Sequence, residues 1–351
     1  MTKPSSTSPP KAKPRWLIKL AWAAVILSFP VWFAAFLVVP FLPLEAASRV
    51  ALAGACIAVG EALFWGASLV LGAQALARFR RPRVDRGGSF ANKRVVVIGA
   101  NGGLGSAIAR ALHREGASPV LVTRGSADKD GLANELSASH EFMELSDHQS
   151  IEQAAERIQA QGPIHHVVCA AGVDVRKAFS EHAIEEIDKQ LTIDLRAPML
   201  ISKAFLPRLE PGGTIALLGG FGDGRLAFPY YSADVAARAG LAAFCESINR
   251  ELDLAANPAR LVFVSPAPAD TAAERPYAEL WTAMGSRPVP PSAVADFVLQ
   301  ALLMGRTVQT MGFSTRLLAS VNALFPGLAD VLVLRKLGRL LKAHFDRRLM
   351  Q

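Results

Sequence analysis

Two apolar stretches near the amino terminus set the first limit on the fold. Residues 20–44 carry no charged side chain, and Glu61 is the only charged residue in 50–77. A bilayer core of about 30 Å is crossed by about 20 helical residues, so each stretch is long enough to span it. We therefore expect a hairpin of two transmembrane helices, about 16–44 and 50–77, within residues 16–78.

Positive charge is concentrated beside these stretches. Residues 1–90 hold 11 Lys or Arg against 3 Asp or Glu, whereas residues 91–351 hold 27 of each. Most of the basic residues precede the first stretch or follow the second: Lys3, Lys11, Lys13, Arg15, Lys19, Arg78, Arg80, Arg81, Arg83 and Arg86. By the positive-inside rule both ends of the hairpin lie in the cytoplasm, as expected in a bacterial-type inner membrane. The neutral globular part disfavours a nucleic-acid partner, which would need a basic face.

A cleaved signal peptide and two buried helices of a soluble domain are the other interpretations of this segment. A signal peptide has one short apolar core, whereas a second apolar stretch follows here. Buried helices do not explain the flanking bases or the tryptophans Trp16, Trp22 and Trp32, which are typical of membrane interfaces. Glu61 either has a function inside the membrane or faces a partner helix.

Composition divides the rest of the chain. A basic tail rich in Ser and Pro, residues 1–15, is predicted to be disordered, and a basic linker covers 79–91. Short apolar runs alternate with helical patterns over 92–312, which is typical of a parallel sheet covered on both faces. A basic helical extension, 313–351, follows. The predicted fold class is α/β, with a Rossmann-type doubly wound parallel sheet after the hairpin.

The Cys and His residues indicate no metal or hydrolytic site. The cysteines Cys56, Cys169 and Cys245 are scattered without a CxxC pair, and neither HExxH nor GxSxG occurs in the chain. We therefore expect no disulfide framework and no bound metal.

A strand, a glycine-rich turn and a helix follow one another at the start of the globular part. The apolar run at 94–98 leads directly into the turn GANGGLG at 99–105. Glycines in such a turn let backbone N–H groups and the helix dipole approach a pyrophosphate. The candidate cofactor-binding residues of this turn are Gly99, Asn101, Gly103, Leu104 and Gly105.

The second strand indicates which dinucleotide is bound. Residues 119–123 end at Arg124 and not at an acid. An acid at this point holds the ribose 2′-hydroxyl of NAD, whereas an arginine accepts the 2′-phosphate of NADP. NADP(H) is therefore favoured over NAD(H). The other interpretation of Arg124 is a solvated arginine at a strand end.

Three motifs, in order, resemble the short-chain dehydrogenase/reductase family over about residues 92–312. The first is the glycine turn, which matches TGxxxGxG except that Ile98 replaces the threonine. The second is CAAG at 169–172, similar to NNAG, and the third is PAPADT at 266–271, similar to PGxxxT. The resemblance implies one Rossmann domain that binds a nicotinamide cofactor. It adds the cofactor contacts Ala171, Gly172, Pro266 and Thr271.

The catalytic residues of that family are matched only in part. The family uses a Ser, a Tyr, a Lys four residues after the Tyr, and an Asn. The resemblance assigns the proton-donating tyrosine to Tyr231 and the asparagine position to Asp194, our two candidate catalytic residues. Val235 stands at the lysine position, and Gly219 or Gly220 at the serine position. Loss of the lysine ammonium removes a means of lowering the tyrosine pKa from about 10.

Other residues near the tyrosine have two interpretations each. Arg238 lies seven residues after Tyr231 on the same helical face, and either supplies the missing positive charge or makes a surface or cofactor contact. Asp223 is either an acid of the site or a turn residue. Tyr230 is expected to pack in the protein interior.

The end of the chain has the pattern of a basic amphipathic helix. Residues 331–351 hold six bases and one acid, with Leu334, Leu337, Leu341 and Phe345 at helical spacing. Such a helix either lies on an anionic leaflet or packs on its own domain or on a second subunit.

These patterns lead to two hypotheses of function. The first is a membrane-anchored NAD(P)(H)-dependent oxidoreductase with a cytoplasmic catalytic domain, which interconverts a carbonyl and an alcohol on a lipophilic small molecule. The second rests on the replaced Ser, Lys and Asn: an impaired nucleotide-binding protein that acts as a membrane scaffold or regulatory partner. Both leave a homo-oligomer open.

Overall fold

The computed structural model describes residues 15–79, 89–125, 131–222 and 224–348. The chain divides into two units, Met1–Arg83 and Val84–Gln351. The predicted disordered tail before Arg15, most of the predicted basic linker, and Asp223 lie outside the described residues.

The first unit is a pair of helices. Helix α1 spans Arg15–Leu37 and α2 spans Ala46–Phe79, with a 3-10 turn at Val39–Phe41 between them. Two segments, Leu20–Phe41 and Ala46–Ser68, have 22 and 23 residues with mean hydropathy 2.3 and 1.7. By length and composition, both are able to cross a membrane. Little of either segment is buried in the structure, whereas the core helices of soluble proteins are mostly buried.

Trp32 and Glu61 have their contacts on α2. Trp32 of α1 packs so closely on Gly60 that a Cβ there would overlap its ring. Glu61 Oε2 accepts a hydrogen bond from Nε1 of Trp65, one turn further along α2, at 3.2 Å. Glu61 therefore pairs within its own helix.

The second unit is built on a seven-stranded parallel sheet. The strands are β1 Arg94–Ile98, β2 Ser118–Thr123, β3 Ser139–Phe142, β4 Ile164–Cys169, β5 Leu209–Leu218, β6 Arg260–Ser265 and β7 Val308–Thr310. Their order is β3-β2-β1-β4-β5-β6-β7, and every pairing is parallel. The predicted doubly wound α/β fold is confirmed.

Helices connect the strands and follow the sheet. They are α3 Gly103–Arg114, α4 Leu132–Leu136, α5 His148–Ala160, α6 Ile184–Leu191, α7 Ala197–Phe205, α8 Ser232–Leu254, α9 Ala278–Ala283, α10 Pro291–Met304, α11 Phe313–Leu324, α12 Pro326–Leu332 and α13 Arg339–Arg348. Short 3-10 turns lie at Phe179–Glu181, Leu206–Arg208 and Arg275–Tyr277, and π-helical turns at Thr192–Arg196 and Val333–Gly338.

Two apolar layers enclose the sheet. Helices α3 and α10 cover one face, and α5, α7 and α8 cover the other. Large buried side chains at helical spacing form these layers: Ile108, Leu112, Val294 and Val298 on the first face, and Ile151, Ile158, Ile201 and Phe205 on the second. Each such side chain contributes about 1.5–3 kcal/mol by burial, which fixes the helices on the sheet.

The strand order reverses between β1 and β4, and this reversal indicates where a ligand would bind. Ile98 at the end of β1 is in register with Val122 of β2 and Cys169 of β4. The carboxyl ends of these strands therefore meet at one edge. Ligands of doubly wound sheets bind in the crevice outside such a reversal.

The sequence pattern over 181–209 predicts one long helical stretch. The structure is helical without a gap from Ile184 to Arg208, with a π turn at Thr192–Arg196 between α6 and α7. The sequence predicts no strand at β7, whose three residues are too few to show a period.

The carboxyl-terminal extension packs on its own unit. Leu341 and Phe345 of α13 are buried, in one cluster with Trp281 of α9. Leu334, in the π-helical turn before α13, is exposed. Of the alternatives given for this helix, the buried face of α13 thus packs on its own domain.

Candidate active site

The glycine turn joins β1 to α3 at the sheet reversal. Gly99 has a φ of +82°, a left-handed conformation that favours glycine. A Cβ at Gly105 would overlap the carbonyl oxygen of Gly99, so the helix approaches the turn only without a side chain there. Helix α3 begins at Gly103, and no side chain caps its first N–H groups. Uncapped N–H groups and the helix dipole together fit a pyrophosphate.

Thr271 lies on the other side of this crevice. It follows β6, and a Cβ at Gly103 would lie 2.8 Å from its Cγ2 atom. Pro266, directly after β6, is buried, and Leu104 of α3 is half-buried. Asn101 is exposed. Thr271 and Gly103 therefore bound the same crevice.

Arg124 stands beside the turn at the end of β2. The N–H groups of Gly99 and Ala100 donate to the carbonyl of Val122, at 2.9 and 3.2 Å. Arg124 follows two residues later, and its side chain is exposed. This is the strand end from which the 2′ position of a dinucleotide is bound in doubly wound folds.

Asp194 supports the loop that follows β4. Its Oδ1 accepts a hydrogen bond from the N–H of Val173 at 2.9 Å, and a Cβ at Gly172 would lie 3.2 Å from the same oxygen. The loop also approaches the glycine turn, since a Cβ at Gly99 would lie 2.7 Å from the nitrogen of Ala171. Asp194 belongs to the first π-helical turn, and such turns are frequent at functional sites.

Two buried carboxyl groups near this loop hold protons more tightly than usual. Burial raises the pKa of Asp194 to about 7, although the Val173 N–H lowers it; the negative charge of Asp234 raises it further. Burial also raises the pKa of Asp234, to about 6, against the opposing charge of Arg238. Arg238 Nη2 lies 2.6 Å from Asp234 Oδ2. Asp194 is thus able to exchange a proton near neutral pH.

Tyr231 lies at the start of α8 and is 4% exposed. Its hydroxyl is buried and has no hydrogen-bond partner among the described residues. Burial raises the pKa of this hydroxyl, while the charge of Arg176 lowers it. A buried hydroxyl of this kind suits a ligand oxygen with which it forms one hydrogen bond.

A buried cation lies over the ring of Tyr231. The Cζ atom of Arg176 is 5.2 Å from the centroid of that ring and 4.1 Å from the centroid of Tyr277. Its guanidinium forms ion pairs with Asp174 and Glu274, and Nη1 donates to Glu274 Oε2 at 3.0 Å. Two carboxylates face one guanidinium, which limits how far Arg176 lowers the Tyr231 pKa.

Aromatic side chains enclose the tyrosine. The ring centroids of Phe228, Trp281 and Phe345 lie 6.2, 6.5 and 6.3 Å from that of Tyr231. Phe345 also stacks on Tyr230, as expected for a packing role of Tyr230, with centroids 4.5 Å apart. The surroundings of the Tyr231 hydroxyl are therefore apolar and aromatic.

Residues 93–279, more than half of the chain, match the family described as short chain dehydrogenase. The chain belongs to the short-chain dehydrogenase family. Members of this family are oxidoreductases that bind a nicotinamide cofactor, which agrees with the resemblance based on the three motifs.

Similar proteins match along most of their own length. An uncharacterized oxidoreductase of Staphylococcus aureus (strain USA300) is 26% identical over 234 residues, which are 64% of this chain and 97% of that protein. The cyclic-di-GMP-binding biofilm dispersal mediator protein of Escherichia coli (strain K12) is 26% identical over 185 residues, 52% of this chain and 76% of that protein. A solved dehydrogenase/reductase from Sinorhizobium meliloti 1021 is 25% identical with a TM-score of 0.58, and covers 64% of this chain and 95% of its own.

Neighbouring side chains occupy the space beside Gly219 and Gly220, the two candidates for the serine position of the family. A Cβ at Gly219 would overlap the ring of Phe263, and a Cβ at Gly220 would overlap the guanidinium of Arg238. Arg238 Nη1 also donates to the carbonyl of Phe221 at 2.9 Å. Arg238 therefore supports the loop after β5, in addition to pairing with the carboxylate on α8.

Sequence reasoning missed Arg176 and Phe345. Arg176 lies four residues after Gly172, in a loop at the carboxyl edge of the sheet, and loops at this edge carry functional side chains in short-chain dehydrogenases as in other doubly wound folds. That position is the signal that could have found it. Phe345 and Tyr231 are 114 residues apart in the chain, so no local pattern connects them.

Metal and thiol chemistry find no support in the described part of the chain. No group of three or more His, Cys, Asp or Glu side chains among the described residues is placed to hold a metal. Burial raises the pKa of both Cys169 and Cys245 to about 12, so these thiols stay protonated. Neither thiol is therefore a nucleophile at neutral pH.

Proposed function

We propose that this short-chain dehydrogenase is a membrane-anchored enzyme that interconverts a carbonyl and an alcohol on a lipophilic substrate with NADP(H). The observation that carries the proposal is the Tyr231 hydroxyl, which is buried without a partner among the described residues and lined by aromatic rings. One hydroxyl in an apolar lining suits a molecule with one reactive oxygen and an apolar body.

The residues at the sheet reversal fit a dinucleotide. The glycine turn is packed so closely that a Cβ at Gly99, Gly103 or Gly105 would lie less than 3 Å from a neighbouring protein atom, and the start of α3 suits a pyrophosphate. Arg124 supplies a positive charge for a 2′-phosphate, which supports NADP(H) over NAD(H). Thr271 lies across the crevice from the turn, on the side assigned to the nicotinamide. When bound, the nicotinamide donates or accepts a hydride.

Tyr231 would handle the proton of this reaction. In reduction, its hydroxyl gives a proton to the carbonyl oxygen while hydride reaches the carbonyl carbon; in oxidation, both move back. The raised pKa keeps Tyr231 protonated at neutral pH, so a proton is present to give, but it also makes the hydroxyl a weaker acid than an ordinary tyrosine. Asp194, at the asparagine position, is the second catalytic candidate because it exchanges a proton near neutral pH.

Helices α1 and α2 would anchor the enzyme. Their length and hydropathy suit two membrane spans, and the flanking bases favour a cytoplasmic location for both ends. An enzyme held at the bilayer meets lipophilic molecules at a higher concentration than a soluble one, which supports a substrate that partitions into lipid.

A second candidate is a nucleotide-binding regulatory or scaffold protein without turnover. It is supported by the overlap at Gly219 and Gly220 and by Val235 at the lysine position, which together remove the serine donor and the ammonium. Loss of one oxyanion donor alone lowers rates by about 10²–10³ in other enzymes. The name of the Escherichia coli relative describes a regulatory protein, which is consistent with such a role on this fold.

One set of measurements separates the two candidates. The full chain in lipid nanodiscs is titrated with NADPH and NADH, and then supplied with NADPH and alkyl aldehydes or ketones of increasing chain length. We expect NADPH to bind more tightly and to be consumed faster as the chain lengthens. Tyr231→Phe should lower turnover at least about 100-fold, while the matched variant Tyr230→Phe retains it. NADPH binding without consumption would select the regulatory candidate, and no binding would end both.

A further inference from the structure

The carboxyl-terminal helices expose several apolar side chains. Leu324 and Phe325, at the junction of α11 and α12, are 72% and 62% exposed. Leu328, Val331 and Leu334 follow at intervals of three residues and are also exposed. We call these five residues the outer face. Contiguous apolar surface of this kind marks an interaction site in a folded domain.

Basic side chains surround the outer face. Arg335, Arg339 and Lys342 are exposed directly after it, and Arg316 is exposed on α11. Asp330 is the only exposed acid among the described residues of 313–345. The outer face therefore combines apolar side chains with a positive border, which matches the anionic surface of a cytoplasmic leaflet.

A second copy of the chain fits this surface less well. In a twofold interface, the same patch lies on both subunits, so the basic borders would face each other. Such an arrangement repels, whereas anionic headgroups neutralise the bases and take up the apolar side chains.

The globular unit also stays within reach of the bilayer if α2 spans it. Fourteen residues separate Phe79 at the end of α2 from Arg94 at the start of β1. A chain of that length extends at most about 50 Å. The local concentration of lipid surface at the outer face is then high. Weak apolar contacts are therefore enough to hold the outer face on the bilayer.

We propose that the outer face of α11, α12 and the following π-helical turn is a second membrane contact, seated in the interface of an anionic bilayer. It is a different set of residues from the buried face of α13. Only the argument from reach rests on the anchoring proposed above. The seated segment continues into α13, whose Phe345 packs against the Tyr231 ring.

The test uses the full chain in vesicles of phosphatidylcholine and phosphatidylglycerol that contain nitroxide-bearing lipid. A Cys56→Ala background leaves Cys169 and Cys245, which are buried and take no label. An environment-sensitive fluorophore is attached at Phe325→Cys on the outer face or at Phe36→Cys in α1, which reports the anchor. The matched control is Leu254→Cys, 89% exposed at the end of α8, at the opposite edge of the sheet.

We expect lipid nitroxide to quench the fluorophore at 325 and 36 but not at 254. Quenching at 36 with no more quenching at 325 than at 254 would overturn the proposal and leave the anchor intact. Quenching at 325 without quenching at 36 would support the second contact and end the anchor. Disulfide-linked dimers through Phe325→Cys, without quenching, would assign the outer face to a second copy and overturn the proposal.

The basic border has its own test. Arg335→Gln with Arg339→Gln should weaken seating about fivefold per base, seen as reduced quenching at 325. Unchanged quenching in this variant would overturn the assignment to an anionic surface.

Discussion

The ring of Phe345 lies edge-on against the ring of Tyr231, with centroids 6.3 Å apart and planes at 89°. The same phenylalanine stacks on Tyr230. A residue near the end of the chain thus forms part of the aromatic cluster around the candidate proton donor. Two consequences for stability can be measured.

Phe345→Ala should lower the free energy of unfolding by about 3 kcal/mol, because it removes a buried ring and leaves a cavity. Thermal unfolding of the detergent-purified protein, followed by circular dichroism, measures the change. The matched variant Leu324→Ala, at an exposed site, should change it by less than about 0.5 kcal/mol. Equal melting temperatures for Phe345→Ala and the parent would show that α13 does not pack there.

Tyr231→Phe should leave the free energy of unfolding unchanged or raise it by up to about 1 kcal/mol. The substitution removes a buried hydroxyl that has no partner among the described residues, and an unpartnered polar group costs about 1–3 kcal/mol. The same unfolding measurement applies. A loss above about 1 kcal/mol would mean that the hydroxyl is hydrogen-bonded in solution.

Gly103→Ala should weaken NADPH binding at least about 10-fold, which corresponds to about 1.4 kcal/mol. The added Cβ would lie 2.8 Å from Thr271 Cγ2, so the two sides of the crevice must separate. Fluorescence titration with NADPH gives the affinity. Gly54→Ala is the control, because a Cβ there meets nothing within 4 Å; an affinity equal to that of the control would rule out the crevice as the cofactor site.

Arg124→Gln should lower the preference for NADPH over NADH by roughly 10–100-fold, the range expected for loss of charge-assisted hydrogen bonds to a phosphate. The affinity for NADH should stay the same. The control Arg250→Gln changes an exposed arginine that pairs with Glu246 one turn away on α8. If both variants keep the parent preference, Arg124 is a solvated strand-end residue.

Asp194 should make the protein less stable as the pH rises. Its pKa is about 7 in the folded chain against 3.8 for the unperturbed group, so the folded state binds more protons between these values. The free energy of unfolding therefore falls from about pH 4 to about pH 7 and is level above that range. Asp194→Asn should flatten this profile and stabilise the protein at pH 8 by roughly 1–2 kcal/mol.

Asp188→Asn is the control for this profile, because Asp188 is exposed on α6. It should leave the pH dependence as in the parent. Asp234 adds a smaller slope of the same sign up to about pH 6, since burial raises its pKa also. A profile of Asp194→Asn that matches the parent would contradict the raised pKa of Asp194.

The parts of the fold that follow from local pattern were predictable. The apolar run of β1, the glycine turn and α3 lie next to one another in the chain, so sequence spacing describes them directly. The π turn at Thr192–Arg196 was not predictable, because five residues are too few to show a change of period within a longer helix. β7 was too short to show a pattern.

The candidate site was predictable only where its residues belong to a local sequence motif. Tyr231 could be named because its segment resembles a family motif, and the glycines because a tight turn between a strand and a helix requires them. Arg176 and Phe345 act through contacts between distant parts of the chain, and such contacts depend on the packing of α9 and α13. The sequence also named Gly219 and Gly220 as replacements without indicating that Phe263 and Arg238 fill the space.

The packing of Phe263 and Arg238 beside Gly219 and Gly220 affects which mutations this site tolerates. A mutation that put a serine at Gly219 or Gly220 would have to displace the Phe263 ring or the Arg238 guanidinium, and displacing Arg238 would strip Asp234 of its ion pair. A serine at Gly219 has to move a fully buried ring, whereas a serine at Gly220 has to move only the end of a flexible side chain. Position 220 is therefore the easier of the two at which a serine could arise.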